Sequence, residues 1–275
     1  MLRQYTESKP GWWLITHPDH AQLAGEFATA WGNALFISPE PRRDVLQGIS
    51  SHDDGWAKRD AAPEITREGR PSAFSTELVG KYSAFEEIDL EAYLAVRQRA
   101  LEVIAGVNPY AAILISKHTY NLLGSHADRS TIAPDDLPKL DAFLESQLAQ
   151  QQKLREQLVE AGKHSPGDLR WETFEKHFRL LQACDNLSLL SCVNHQSPNS
   201  LLHPLPAVGG DREVAVRSAG PRHFVLEPWP FKVDELVFQI SARWVAGETF
   251  ESHEALRKAF HAAEPQPLSI RLSKG

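Results

Sequence analysis

Long apolar runs, cysteine, methionine and surplus positive charge are all scarce in these 275 residues. No hydrophobic stretch approaches the ~18–20 residues of a membrane span, so no membrane partner is expected. Met1 to Pro10 is polar and Trp12 to Ile15 is too short for the core of a signal peptide. Cys184 and Cys192 are the only cysteines and fall in one predicted helix. At ~1.5 Å rise per residue they stand ~12 Å apart, too far for a disulfide, which fits a reducing cytoplasm. Lys and Arg number 29 against 36 Asp and Glu, and a net charge of −7 argues against nucleic acid as the main partner. There is no glycine-rich phosphate loop and no serine in a nucleophile-elbow setting.

What is present is an ordinary globular composition, 42% hydrophobic and 24% charged, on a chain long enough to bury a substantial core. Trp12 to Thr16 reads as a short extended segment. His17-Pro18-Asp19-His20 then opens a helix whose stripe is Leu23, Ala24, Phe27 and Trp31, with Asp19 near the N-cap. Pro39-Glu40-Pro41 begins a second helix, with Val45, Leu46 and Ile49 running up to His52-Asp53. Lys58 to Lys81, rich in Pro, Gly and charge, reads as a long loop over a site mouth. Helices are predicted over Leu90–Ile104, from Asn108 to a stop at Gly124, over Pro134–Gly162, and over Trp171–Val193. The Gln-rich middle of Pro134–Gly162 suggests an exposed arm, and a coiled-coil homodimer could form through it. From Pro204 onward, Glu213–Arg217, His223–Leu226, Leu236–Val245 and Leu268–Leu272 read as strands of a small antiparallel sheet.

Four helices each place a metal-competent residue on or at the edge of an apolar stripe. They are His20, the pair His52-Asp53, His118 beside Leu114, Ile115 and Leu122, and Asp185 amid Phe178, Leu181, Leu189 and Cys192. Each alone has a bland reading: a helix-end hydrogen bond for His52-Asp53, a backbone-bonded residue for His20, a satisfied core histidine for His118. Asp185 is harder to dismiss, because an ionised carboxylate is rarely buried unpaired. Two imidazoles with two carboxylates suit Mn, Fe, Co, Ni or Zn better than Mg or Ca.

The order His20, His52-Asp53, His118, Asp185 resembles the HD-domain superfamily of metal-dependent phosphohydrolases. By that resemblance His20, His52, Asp53 and Asp185 are the four metal ligands, and His118 sits where two-metal members add another. Such members supply two extra histidines well apart, whereas His126 follows His118 by only eight residues, with His164 and His177 as alternatives. The stretches His17-Pro18-Asp19-His20-Ala21, His52-Asp53-Asp54-Gly55-Trp56, Ile115-Ser116-Lys117-His118, Asp185-Asn186-Leu187-Ser188-Leu189 and Glu227-Pro228-Trp229-Pro230-Phe231 are similar to an uncharacterised family of that superfamily. That finer resemblance implies fold rather than activity.

The expected architecture is mainly α: an HD-like helical bundle over 1–203 with a small antiparallel sheet over 204–275 packed on it. The expected function is hydrolysis of a small phosphoester by water activated on one or two divalent transition ions. Asp54 and Lys117 are the further catalytic candidates, and Arg70, Lys117 and Trp56 the substrate contacts. A di-iron oxygenase on the same ligands, or a silent metal- or metabolite-binding module, are the alternatives. His17 is a weaker ligand candidate.

Overall fold

The sheet is assembled from both ends of the chain. The computed structural model describes residues 1–79, 89–126 and 129–275, the side chains at 125 and 126 excepted; Lys81 and the His126 side chain lie outside the described residues. Strands β1 (Leu2–Thr6) and β2 (Gly11–Ile15) form an antiparallel hairpin, with Leu2 opposite Ile15. β2 then pairs with β5 (Glu235–Ala246), placing Trp12 opposite Val245. With β3 (Ala215–Gly220), β4 (His223–Glu227) and β6 (Pro265–Lys274), the order is β1-β2-β5-β6-β4-β3. All neighbours are antiparallel except β4 and β6, which run parallel.

This overturns the expected helical bundle with a small C-terminal antiparallel sheet. Among the described residues the structure is 49% helical, and six strands form one mixed half-barrel drawn from the length of the sequence. The reason is local ambiguity at the N-terminus. Arg3, Gln4 and Thr6 give β1 no clean alternation of apolar and polar residues. Its strand identity comes from ladder hydrogen bonds to β2, and β2 finds its other partner far along the chain.

The helices match their periodicity more closely. They are α1 (His17–Ala30), α2 (Arg42–Ser50), α3 (Ala57–Asp60), α4 (Leu90–Ala105), α5 (Pro109–Tyr120), α6 (Leu137–Ala161), α7 (Trp171–Cys192) and α8 (His253–Ala262). The cap of α1 is Thr16 rather than Asp19: its Oγ1 accepts from the Asp19 backbone N–H at 3.1 Å and donates to the Asp19 carboxylate at 2.5 Å. After α5 the chain winds on as a wide turn over Asn121–His126 instead of stopping at Gly124. α8 was not expected from sequence; Ser252 caps it, and Leu256 and Phe260 bury its inner face. α1 packs on α2 and α7, and α5 on α2, α4 and α6. The sheet covers this layer where the Phe27 ring meets Phe238 edge-on, centroids 4.9 Å apart. Trp229 is buried at the seam, 4.9 Å from Phe231, and its carbonyl accepts from Asn33 Nδ2 at 2.8 Å.

α6 is not an exposed arm. Gln147 and Gln151 are buried, and Ser116 Oγ donates to Gln147 Oε1 at 2.8 Å while accepting from Gln151 Nε2 at 3.0 Å. Gln147 Nε2 donates to Gln98 Oε1 at 3.0 Å. Glutamines that satisfy one another tolerate burial, so a polar stretch becomes the seam joining α4, α5 and α6. Among the described residues no helix is long and apolar enough to cross a membrane.

Candidate metal centre

Four segments deliver side chains to one buried point. His20 lies in the second turn of α1, fully buried. α2 ends at Ser50, and the chain bends through Ser51 (φ −113°, ψ 8°) and Asp53 (φ −118°, ψ 15°), with His52 and Asp53 both buried. Two glycines allow the close approach of these elements. A Cβ on Gly25 would stand 2.6 Å from that of Ser50, and one on Gly55 would collide with the carbonyl oxygen of Val96 on α4. His118 comes from the last turn of α5 and Asp185 from the middle of α7.

Their ligand atoms converge. His20 Nε2 is 3.0 Å from Asp53 Oδ2, and His52 Nε2 is 3.3 Å from Asp185 Oδ1 and 3.9 Å from Asp53 Oδ2. His118 Nε2 is 3.8 Å from Asp185 Oδ2. The rings of His20 and His52, and of His52 and His118, cross edge-on at 5.1 and 5.2 Å. Two buried triplets, His20/His52/Asp185 and His52/Asp53/His118, each hold their ligand atoms within 4.8 Å of one another and could bind a metal ion.

The hydrogen bonds behind the rings fix which nitrogen faces inward. His52 Nδ1 lies 2.7 Å from the Ile49 carbonyl, an acceptor, so the proton sits on Nδ1 and Nε2 carries a lone pair. Ser188 Oγ donates to the Asp185 carbonyl at 2.8 Å, and its oxygen is 2.8 Å from His20 Nδ1. His20 Nδ1 is therefore the donor there, and His20 Nε2 also presents a lone pair. Both lone pairs point at carboxylate oxygens, and acceptor facing acceptor in a buried site is unfavourable unless a cation lies between. His52 Nε2 and His118 Nδ1 have no hydrogen-bond partner among the described residues. The donor set thus fits a divalent ion.

Without such an ion the charges settle through protons. Burial disfavours charge on His52, but Asp53, Asp185 and the Ile49 carbonyl outweigh it and lift the imidazole to about 9. Burial would raise Asp53, yet Arg97, His52 and His20 hold it well below the usual carboxylate range. Asp185 is likewise lowered against its burial by His52, His118 and His20. Burial drives His118 down to about 3 despite the neighbouring Asp185, leaving a neutral imidazole.

Arg97 was not anticipated. Only 6% exposed, it donates from Nη1 to Asp53 Oδ1 at 2.5 Å and from Nε and Nη2 to the Tyr93 hydroxyl at 3.2 and 3.1 Å. Its guanidinium lies 5.4 Å from the Trp56 ring centre and 5.2 Å from that of Tyr93. A signal existed: Tyr93, Arg97, Leu101 and Ile104 share the buried stripe of α4, so Arg97 is a charge among apolar neighbours.

Asp53, Arg97, Trp56, His118 and Asp185 border a chamber of about 600 Å³. Arg70 also lines it, held near Glu248 (3.6 Å) and Glu68 (3.8 Å). Lys117 does not: successive helical residues diverge by about 100°, so it leaves α5 on another face. Its ammonium pairs with Glu175 at 3.0 Å beside a separate groove. Asp54 is half-buried, begins a short helical turn, and is not among the chamber-lining residues; burial raises its pKa against a hydrogen bond from Ser51. His17 lines the chamber, but it bonds Asp60 at 3.0 Å and stacks on Trp56 at 4.5 Å. His164 turns to Asp44 (2.9 Å) and His177 to the Tyr110 hydroxyl (2.9 Å), so neither joins the cluster.

No curated protein and no solved structure matches the chain. Residues 1–247 match a family described as Protein of unknown function (DUF3891). That match spans most of the sequence and every residue of the buried His/Asp cluster, and the chain belongs to this family.

Proposed function

We propose that the chain is a metal-dependent hydrolase that cleaves a small phosphoester with water. The observation that carries this reading is the pair of imidazole lone pairs, His20 Nε2 and His52 Nε2, held against the carboxylates of Asp53 and Asp185 in a buried pocket. His20, His52, Asp53 and Asp185 would hold the ion, with His118 at its edge. The ligand order supports kinship with the HD-domain phosphohydrolases at the level of the site.

A bound Mn, Fe, Co, Ni or Zn ion would supply Lewis acidity, acidifying water towards neutrality and polarising an ester oxygen. The chain's own groups do the rest. Ile49 and Ser188 hold the two imidazoles in register, and Arg97 orients Asp53 through Oδ1. Charge favours one ion: two carboxylates balance one divalent cation, and Arg97 already adds a positive charge beside them. A second divalent ion in that buried space would be costly, which weighs against the di-iron alternative. Buried, unpaired Cys184 and Cys192 suit a cytoplasmic setting.

The test is elemental analysis of the purified chain, followed by assay against generic phosphomonoesters. About one equivalent of transition metal, and hydrolysis abolished in Asp185→Ala with the fold retained, is the expected result. A chain that retains no metal after exposure to each of the five ions overturns the reading. A metal-loaded chain that binds phosphoesters without turnover would instead make it a binding module.

A further inference from the structure

The chamber next to the metal cluster is built from two kinds of surface. Phe74, Trp56, Leu122, Leu123, Leu189 and Leu190 supply apolar wall. The cations at its border are committed elsewhere: Arg3 lies 3.6 Å from Glu77, Arg59 3.1 Å from Glu64 and Arg70 3.6 Å from Glu248. Arg97 differs in position, because its acid partner Asp53 belongs to the ion-binding set. Once Asp53 and Asp185 balance a divalent ion, the positive charge of Arg97 is left over. Its Nη1 and Nη2 each carry a second N–H beyond those used on Asp53 and Tyr93. Trp56, 4% exposed, lies beside it, with its ring centre 5.4 Å from the guanidinium.

We infer that the chamber takes the monoester of one phosphate with a bulky apolar alcohol, the phosphate received by Arg97 and the apolar body by the leucine-rich wall. This deepens, and rests on, the metal-hydrolase reading. A nucleoside di- or triphosphate is a poor fit, because its several negative charges need several uncommitted cations or a phosphate-cradling loop. Arg97 is the anchor because its planar guanidinium can meet a phosphoryl group through two parallel N–H bonds while still holding Asp53.

The experiment uses the full chain loaded with metal, its content checked first by elemental analysis, and non-hydrolysable probes read by calorimetry. Phenylphosphonate is expected to bind at least tenfold more tightly than methylphosphonate, and more tightly than ADP. Measured at saturating metal, because Arg97 also orients Asp53, Arg97→Met should weaken phenylphosphonate by tenfold or more. Leu189→Ser, on the half-buried part of the wall, should narrow the phenyl-to-methyl ratio and leave methylphosphonate alone. Should Arg97→Met fail to fold, Arg97→Lys keeps the charge, loses the fork, and should show the same direction of change. Equal binding of methyl- and phenylphosphonate, tighter binding of ADP, or indifference to both Arg97 substitutions overturns the inference. A chain that holds no metal sinks the hydrolase reading and this one with it, whereas a metal-loaded chain preferring ADP sinks only this one.

Discussion

His20 Nδ1 and Ser188 Oγ meet at 2.8 Å between α1 and α7, and the same hydroxyl donates to the Asp185 carbonyl at 2.8 Å. One serine thereby couples the protonation pattern of a candidate ligand to the helix bearing another. Ser188→Ala removes that coupling while changing little volume. It should weaken metal binding by about 10–100-fold, the usual effect of losing an outer partner of a ligating histidine. Titration with Zn or Mn, with circular dichroism as the fold control, measures it; an unchanged affinity would disprove the assigned tautomer.

A metal at His52 would compete with a proton. Its raised pKa, about 9 without an ion, exceeds the ordinary 6.5, so the folded metal-free chain binds a proton that the unfolded chain releases earlier. That contribution to stability is full below about pH 6.5 and is lost as pH rises through about 9. An ion at Nε2 must displace the proton. Metal binding at pH 7 should therefore release about one proton, with affinity rising about tenfold per pH unit towards pH 9. Calorimetry in buffers of different ionisation heat reads the release directly, and binding without it contradicts the assignment of His52 as a ligand.

Removing the ion should lower thermal stability. At free metal a hundredfold above its dissociation constant, binding only the folded state adds about 2.7 kcal/mol. A chelator should accordingly lower the melting temperature, and added metal should restore it. Identical melting curves with and without chelator would argue that no ion is held in the folded core.

Gly55→Ala probes how closely α4 is pressed to the ligand turn. A Cβ there meets the Val96 carbonyl and lies 3.0 Å from the Ala100 Cβ, both on α4. The substitution should cost about 1–3 kcal/mol through overpacking and move Arg97 away from Asp53. Urea denaturation gives the first effect, and phenylphosphonate affinity the second. An unshifted midpoint would mean that the two segments separate freely.

Lys117→Ala is the control. Its ammonium is paired with Glu175 on a face of α5 that does not border the chamber. Metal content and hydrolysis should stay unchanged, and stability should move by less than about 0.5 kcal/mol. Loss of hydrolysis would return Lys117 to the catalytic role that its neighbour His118 suggested.

The contrast between Lys117 and Asp185 shows what a linear pattern can carry. Asp185 is a charge on an apolar stripe, and a stripe states which face is buried; Lys117 is adjacent to a ligand only along the chain, and a helix separates such neighbours. Arg97 obeys the same stripe rule as Asp185, but a long cationic side chain is easily read as reaching solvent. The glutamines of α6 mislead for the opposite reason, because side-chain amides can satisfy each other and be buried without any apolar signal.

The residues themselves determined the main helices and the set His20, His52, Asp53, His118 and Asp185, because burial of one helical face imposes a periodicity that polar exceptions visibly break. Only the tertiary structure decided that the N-terminal hairpin closes against β5, that Gln147 lies inside, and that Arg97 shares Asp53 with the cluster. Strand pairing and ion pairing are agreements between segments far apart in sequence, and neither partner carries a local mark of the other.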